Sequence, residues 1–308
     1  MSKYKLSEEE IKKFRDQGYI GPFKAYDNEY IKQVYKKLRV EFFNREKAPY
    51  QVDASSPIAN YDRHLDVNFL STHIMNPKLV DRVESILGSN LLCWRSELFP
   101  KYPGDEGTDW HQADTFAHAS GKPQIAWPNG SRFGGAITVW MALTDTDKEN
   151  GCLRFIPGTH EEMFYDESLG MEYTPESQNT SVKQGKKMGF FGYDYRNLQK
   201  DKDWVPDESS AVDIEMKAGE FVIFWSTLMH SSNPNNTADR TRLGFAARYV
   251  PSSVHVYPDT EVVEEYGSSI SLENFGVVNV KGEVQEKRNK VFANNLRGNE
   301  FQFVELES

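Results

Sequence analysis

Apolar residues recur at helical spacing over the first 90 residues of the chain, and polar residues occupy the positions between them. This periodicity predicts three amphipathic helices, each preceded by a residue that can cap its first turn. The starts are marked by Ser7 with Glu10, by Asp27 and by Asn76-Pro77, and the ends of the first and third helices by Gly18 and Gly88. We therefore expect residues 1–88 to form a helical N-terminal part.

From residue 89 the pattern changes to short apolar or alternating runs separated by turn residues. These runs predict strands at 91–99, 136–143, 152–156, 212–216, 220–225 and 242–250. Few helical patterns intervene, so the strands are expected to pair antiparallel. The predicted fold is mainly β with flanking helices, a cupin-type double-stranded β-helix (jelly roll) in a single domain of residues 1–308.

Within that domain, residues 89–255 are the predicted jelly-roll core and 256–308 a C-terminal extension. Residues 165–210 are polar and aromatic, and a loop segment of this length is usually functional or disordered. We expect it to form an insertion over one mouth of the barrel.

The composition favours an ordinary globular protein, with 38% hydrophobic and 27% charged residues. A formal net charge of -10 argues against nucleic acid as a general partner, because phosphate binding needs a basic face. No apolar run approaches membrane-spanning length or resembles a secretion signal, so the expectation is a cytoplasmic protein without a membrane partner. Cys93 and Cys152 lie in apolar runs and are expected to be buried thiols.

Two of the seven histidines lie where a double-stranded barrel carries metal ligands. His111 follows a Gly- and Asp-rich turn, and His230 follows the late predicted strand at 220–225. Non-haem Fe(II) is typically held by two histidines and one carboxylate, with open positions for substrate and oxygen. Two residues after His111, however, Ala113 presents a methyl group where the carboxylate is expected. A monatomic anion is the simplest replacement, and that indicates halogenation.

Two carboxylates are rivals for the missing ligand. His64-Leu65-Asp66 is a literal His-x-Asp motif, but it precedes the strand-rich region and is expected to be a solvated or salt-bridged connection. Asp114 would point away from His111 on an extended strand unless a bulge intervened. Of the other histidines, His118 is a candidate to line the pocket and His160 is expected to be structural.

The segment 242–248 carries a candidate site for the distal carboxylate of 2-oxoglutarate. Arg242 and Arg248 share one strand face, with Gly244 and Ala246 between them leaving room for a ligand. A planar guanidinium matches a carboxylate bidentately. Thr138 and Trp140 share a face of another predicted strand and offer hydrogen-bond donors.

Four segments are similar to one known group of proteins: 58–66, 101–116, 189–196 and 224–230. In these strings the chain resembles the phytanoyl-CoA dioxygenase superfamily and, within it, the non-haem iron halogenases of nonribosomal peptide assembly lines, threonyl halogenases in particular. The resemblance covers nearly the whole chain and thins towards both ends. It implies a cupin-type jelly roll in which chloride replaces the missing carboxylate.

The resemblance also implies roles for individual residues. Fe(II) would be bound by His111 and His230 and chelated by 2-oxoglutarate, whose distal carboxylate Arg242 would hold, with Thr138 and Trp140 nearby. Chloride would lie beside Ala113, Phe116 and Ser226, with Arg248 in its hydrogen-bond network. At position 118 this chain has His where the family pattern has Asn, a change that bears on halide affinity.

The implied reaction consumes O2, converts 2-oxoglutarate to succinate and chlorinates an unactivated aliphatic carbon. Its substrate would be an amino acid, threonine first, tethered to a carrier protein. Docking of an acidic carrier would use Lys32, Lys36, Lys37 and Arg39, or Lys183, Lys186 and Lys187. A hydroxylase of the same fold, a halogenase of a free small molecule and a non-catalytic cupin remain alternatives.

Overall fold

The computed structural model describes residues 3–128, 135–175, 182, 183 and 186–305, with backbone alone for 182, 183 and 186–189. Its helices are α1 (Glu8–Gln17), α2 (Asn28–Phe43), α3 (Asn68–His73) and α4 (Pro77–Leu87). The three predicted helices are confirmed with their caps: the Ser7 hydroxyl accepts the Glu10 amide, and Gly18 ends α1 with a φ of 81°. The short helix α3 was not predicted.

The strands are short, and most lie in two sheets. They are β1 (Tyr19–Lys24), β2 (Leu91–Lys101), β3 (Gly107–His111), β4 (Ile125–Ala126), β5 (Ile137–Ala142), β6 (Leu153–Phe155), β7 (Val182–Lys183), β8 (Lys186–Gly189), β9 (Val212–Ile214), β10 (Glu220–Trp225), β11 (His230–Ser232), β12 (Arg242–Pro251), β13 (His255–Val256), β14 (Val262–Glu265), β15 (Ser268–Ser271) and β16 (Val278–Lys281).

Within the described residues, one sheet has the order β1-β10-β5-β12-β2-β16 and the other β7-β8-β3-β11-β6-β9. The pairs are antiparallel except β3 with β8. A pocket lies between these two sheets and draws side chains from both. This is the predicted mainly β, cupin-type fold, and all six predicted strands are present within a few residues of their expected limits.

The sheet extends beyond the predicted core limits of 89–255. Strand β1 lies inside the part predicted to be helical and pairs with β10, and β16 from the C-terminal extension pairs with β2. The sequence of β1 contains Gly21-Pro22, and a proline inside a run argues against a central strand. Because β1 is at the edge of its sheet, the missing proline N–H costs no ladder hydrogen bond there.

The two cysteines are buried and free, as expected. Large apolar side chains such as Trp94, Trp225, Phe221 and Phe245 are almost completely buried. Among the described helices, none is both long and apolar enough to cross a membrane.

Candidate metal and cosubstrate site

Two histidines face each other where β3 pairs with β11. His111 and His230 are direct register partners, and their ring centroids are 4.0 Å apart. Each Nδ1 lies against a backbone carbonyl two residues earlier, Asp109 O at 2.8 Å and Leu228 O at 2.7 Å. A carbonyl can only accept, so Nδ1 carries the proton in both rings and Nε2 is left as the ligating atom.

Burial keeps both rings neutral. It lowers the pKa of His111 well below its ordinary value and that of His230 to about 4. Neutral imidazole is the form that binds a metal ion. Aromatic rings enclose the pair: Phe190 and Tyr195 lie 4.5 and 5.3 Å from the His111 ring, and Phe224 lies 5.2 Å from that of His230. These contacts fix the ring orientations.

The described residues contain no cluster of three or more His, Cys, Asp or Glu able to hold a metal ion. Ala113 is buried and lines the pocket beside the two histidines. Asp114 is not among the pocket-lining residues, and its backbone amide donates to the Glu167 carboxylate at 3.0 Å. Two histidine nitrogens without a carboxylate are therefore the donor set that the described residues offer a metal ion here, and imidazole nitrogen suits Fe(II).

The rival motif His64-Leu65-Asp66 lies elsewhere, in a buried 3-10 helix. His64 Nδ1 is 2.7 Å from Ser96 Oγ, and Asp66 accepts two hydrogen bonds from Arg63 at 2.8 and 3.0 Å. The segment is salt-bridged as expected, but it is not solvated, because all these side chains are at most 2% exposed. Neither His64 nor Asp66 lines the pocket.

A pair of buried cations lies at one end of the pocket. Arg242 and Lys101 are register partners on β12 and β2, and neither forms an ion pair with any described residue. Arg242 donates from Nε to Gly151 O at 3.0 Å and from Nη1 to Phe99 O at 3.1 Å, which leaves Nη2 free to bind a ligand. Burial lowers the pKa of Arg242 to about 10, so its charge persists at neutral pH. A guanidinium nitrogen with unused N–H donors suits a carboxylate ligand at this end of the pocket.

Trp140 and Thr138 line the pocket on the neighbouring strand β5. The Arg242 guanidinium is 5.5 Å from the Trp140 ring centroid. Gly244 makes room for this indole, because a Cβ at position 244 would lie 1.8 Å from Trp140 Cζ2. Gly244 was predicted to leave room for a ligand, but the space beside it is taken by the Trp140 indole instead.

The remaining predicted residues surround Ala113. Phe116 and Ser226 line the pocket, and the Ala113 amide donates to Ser226 O at 2.8 Å. Arg248 lies 5.3 Å from the Phe116 ring centroid and donates to Glu97 at 3.0 Å. Its Nε and Nη1 are buried without a hydrogen-bond partner among the described residues. Polar donors therefore lie close to the position that lacks a carboxylate.

Comparison with known proteins identifies the family of the chain. The family model for phytanoyl-CoA dioxygenase (PhyH) matches residues 14–244. The chain belongs to the phytanoyl-CoA dioxygenase family. Its fold superposes on CytC3 with Fe(II) and alpha-ketoglutarate at a TM-score of 0.76, with 42% sequence identity over 100% of both chains. The family and that complex support Fe(II) and 2-oxoglutarate as the metal and cosubstrate of this oxygenase.

Two curated relatives are more distant. The 2-aminoethylphosphonate dioxygenase of Uncultured bacterium HF130_AEPn_1 is 24% identical over 88% of this chain and 97% of its own. The ectoine dioxygenase of Bordetella bronchiseptica (strain ATCC BAA-588 / NCTC 13252 / RB50) is 22% identical over 75% of this chain and 71% of its own. Both carry the name dioxygenase, which agrees with the family.

Several pocket residues of this family member were not predicted from the sequence. Glu97 and Lys101 line the pocket from β2. They are an even number of positions apart, so they share one face of the strand, and this spacing could have identified them from the sequence. Phe190 and Tyr195 come from the predicted insertion, whose sequence has no periodicity that could assign them. His118, by contrast, was expected to line the pocket and does so, and its Nδ1 is buried without a hydrogen-bond partner in the described part of the chain. Burial lowers its pKa.

Proposed function

We propose that this protein is a halogenase that chlorinates an unactivated aliphatic carbon of an amino acid tethered to a carrier protein. The observation that carries the proposal is Ala113: a methyl group lies beside the two facing histidines, and the described residues offer no carboxylate in its place. The 42% identity with CytC3 over the full chain supports the same metal and cosubstrate.

The protein's part in the reaction is to hold and orient. Bound iron and 2-oxoglutarate supply, with O2, the oxidising power for abstraction of an aliphatic hydrogen atom, and succinate is released. His111 and His230 hold the metal through Nε2. Arg242 holds the distal carboxylate of the cosubstrate, and Thr138 and Trp140 line the wall beside it. The position of the target carbon relative to the bound halide would then decide the product.

Chloride fits the position at Ala113 on grounds of charge and size. A monoanion replaces the single negative charge of an aspartate ligand, and a methyl group leaves space for it. Phe116 shields this side from water, and Arg248 provides donors that no described residue uses. Ser226 closes the wall, where its hydroxyl accepts the Ala136 amide at 3.0 Å.

We propose threonine as the first candidate for the substrate amino acid, delivered as a thioester on a carrier protein. Lys36, Lys37 and Arg39 are exposed on α2 and offer a basic docking face for an acidic carrier, while Lys32 beside them is paired with Glu29. The side chains of Lys183, Lys186 and Lys187 lie outside the described residues.

The test is product mass after anaerobic loading with Fe(II) and 2-oxoglutarate, followed by O2 in chloride buffer. Aminoacyl carrier proteins and the corresponding free amino acids are compared in parallel. We expect a chlorinated product from an aminoacyl carrier. Chlorination of only the free amino acid would contradict the tethered substrate, and a hydroxylated product with no chlorinated one would establish a hydroxylase instead.

Ala113→Asp tests the halide position itself. The new carboxylate would occupy the third ligand position, so we expect chlorination to fall by at least two orders of magnitude, and any remaining product to be hydroxylated. Ala113→Gly is the matched control, since it adds no ligand and should still chlorinate. Chlorination by Ala113→Asp at the parent rate would show that the halide binds elsewhere.

A further inference from the structure

The segment directly after Ala113 folds around the carboxylate of Glu167. Asp114 N donates to Oε1 at 3.0 Å, and Thr115 N, Thr115 Oγ1 and Ala117 N donate to Oε2 at 2.9, 3.0 and 3.3 Å. Glu167 is only 6% exposed and forms no ion pair within the described residues. Backbone amides therefore supply most of the donors that stabilise this buried charge.

Phe116 lies at the centre of this arrangement in a strained conformation. Its φ of 59° is in the left-handed region, which is unusual for a bulky residue. A left-handed residue between other conformations turns successive N–H groups to one side, and such a nest binds an anion. Here the amides on either side of Phe116 share one carboxylate oxygen, so Glu167 stabilises the conformation that aims the phenyl ring.

The direction of that ring matters because it forms the wall next to Ala113. Phe116 packs against Trp94 in a T-shaped pair with ring centroids 4.9 Å apart, and the Arg248 guanidinium lies over the Phe116 ring at 5.3 Å. Both Phe116 and Ala113 line the pocket. A change in the backbone at Phe116 would therefore change the space beside Ala113.

The start of the segment is held separately. The Gln112 side-chain amide donates to the carbonyls of Thr159, Glu162 and Thr227, and the Ala113 amide donates to Ser226 O. None of these contacts involves Glu167. Loss of Glu167 should therefore release residues 114–117 without moving the His111 end of the segment.

We propose that Glu167 is a positioning residue for the halide site. Its carboxylate fixes Phe116 and the space beside Ala113, and by filling the nest it also keeps solution halide from binding at those amides instead. The predicted insertion, in which Glu167 lies, thus shapes the halide side of the pocket. This inference rests on the proposed function.

Glu167→Gln tests the inference, because the glutamine NH2 would face amide donors. In the metal-free protein, we expect hydrogen exchange of the 114–117 backbone amides to be on the order of tenfold faster or more. In the protein loaded with Fe(II) and 2-oxoglutarate, the chloride concentration that half-perturbs the charge-transfer absorption band should rise about tenfold. The share of hydroxylated product should rise with it. Binding of Fe(II) and 2-oxoglutarate should stay within about twofold of the parent, since His111, His230 and Arg242 are untouched.

Glu161→Gln is the matched control, because Glu161 is exposed and, among the described residues, no hydrogen bond or ion pair joins its side chain to the segment. If Glu167→Gln fails to fold, Thr115→Val removes one hydrogen bond to the same carboxylate and should shift exchange and chloride dependence in the same direction, by about two- to tenfold. Parent-like exchange and chloride dependence in the folded variants would overturn the inference. An inactive, chloride-insensitive parent would instead overturn the proposed function, and the exchange experiment would still report on Glu167.

Discussion

Arg242→Lys is the sharpest test of the cosubstrate end of the pocket. Arg242 donates two N–H groups to the carbonyls of Gly151 and Phe99, and its Nη2 remains to bind a carboxylate. Lysine keeps a charge in water but has a single nitrogen, so it cannot hold two carbonyls and a bidentate ligand together. The substitution therefore removes hydrogen-bond donors even where the lysine stays protonated.

The charge of the new lysine would also be destabilised, because the neighbour of Arg242 is another buried basic residue. Burial and the Arg242 charge lower the pKa of Lys101 well below its ordinary value. A second lysine beside it would be subject to the same two effects, so its pKa would lie below that of Arg242. Two charge-assisted hydrogen bonds are worth about 3–6 kcal/mol in total. Allowing for one retained contact, we expect a loss of about 3–4 kcal/mol, or a roughly 10²- to 10³-fold higher Kd for 2-oxoglutarate.

The assay is an anaerobic titration of the Fe(II)-loaded protein with 2-oxoglutarate, followed by the charge-transfer band. Affinity needs the protonated side chain, so in the parent it should persist up to the Arg242 pKa of about 10 and fall above it. In Arg242→Lys the fall should begin at lower pH, because the lysine pKa is lower. Arg240→Lys is the control, an exposed residue paired with Asp147. A Kd within twofold of the parent at neutral pH would refute the assignment of Arg242.

Two further predictions concern packing and the rival motif. Gly244→Ala places a Cβ 1.8 Å from Trp140 Cζ2, so the indole must move. We expect thermal unfolding to show a loss of about 1–3 kcal/mol of stability, and 2-oxoglutarate to bind more weakly. Unchanged 2-oxoglutarate binding would contradict the role of Trp140. Asp66→Asn leaves the buried Arg63 guanidinium without its counterion and should lower the free energy of unfolding in denaturant by about 3–5 kcal/mol. The folded fraction should still bind one Fe(II). Loss of iron binding in that fraction would indicate that His64-Leu65-Asp66 is the metal site.

The sequence predicted helices and strands where a local pattern was complete. The capping box at Ser7 and the apolar stripe of α4 are local signals, and both helices end at the predicted glycines. Strand β1 was missed because its Gly-Pro pair is typical of a turn, and only the edge position in the sheet makes it a strand. Such a position depends on residues some 200 positions away along the chain.

In the candidate site, the sequence predicted the pocket residues that lie on or directly beside strands of the core. His111, His230 and Arg242 follow from strand order and from the family resemblance, and the pocket contains all three. Glu167 and Tyr195 could not be predicted, because they come from an insertion with no periodicity. Their roles follow from hydrogen bonds and ring contacts that exist only after the insertion folds back over β3.

The charges of the pocket bear on the role that we propose for Ala113. Arg95 is paired with Glu265, and Arg248 with Glu97, so these four side chains balance one another. Arg242 at one end, with neutral histidines at the other, leaves the pocket with excess positive charge before any ligand binds. 2-Oxoglutarate offsets only part of that charge once iron is present, and an aspartate at position 113 would supply the next negative charge from the protein itself. With alanine there, the charge must come from solution, so turnover should depend on halide concentration in the parent and lose that dependence in Ala113→Asp.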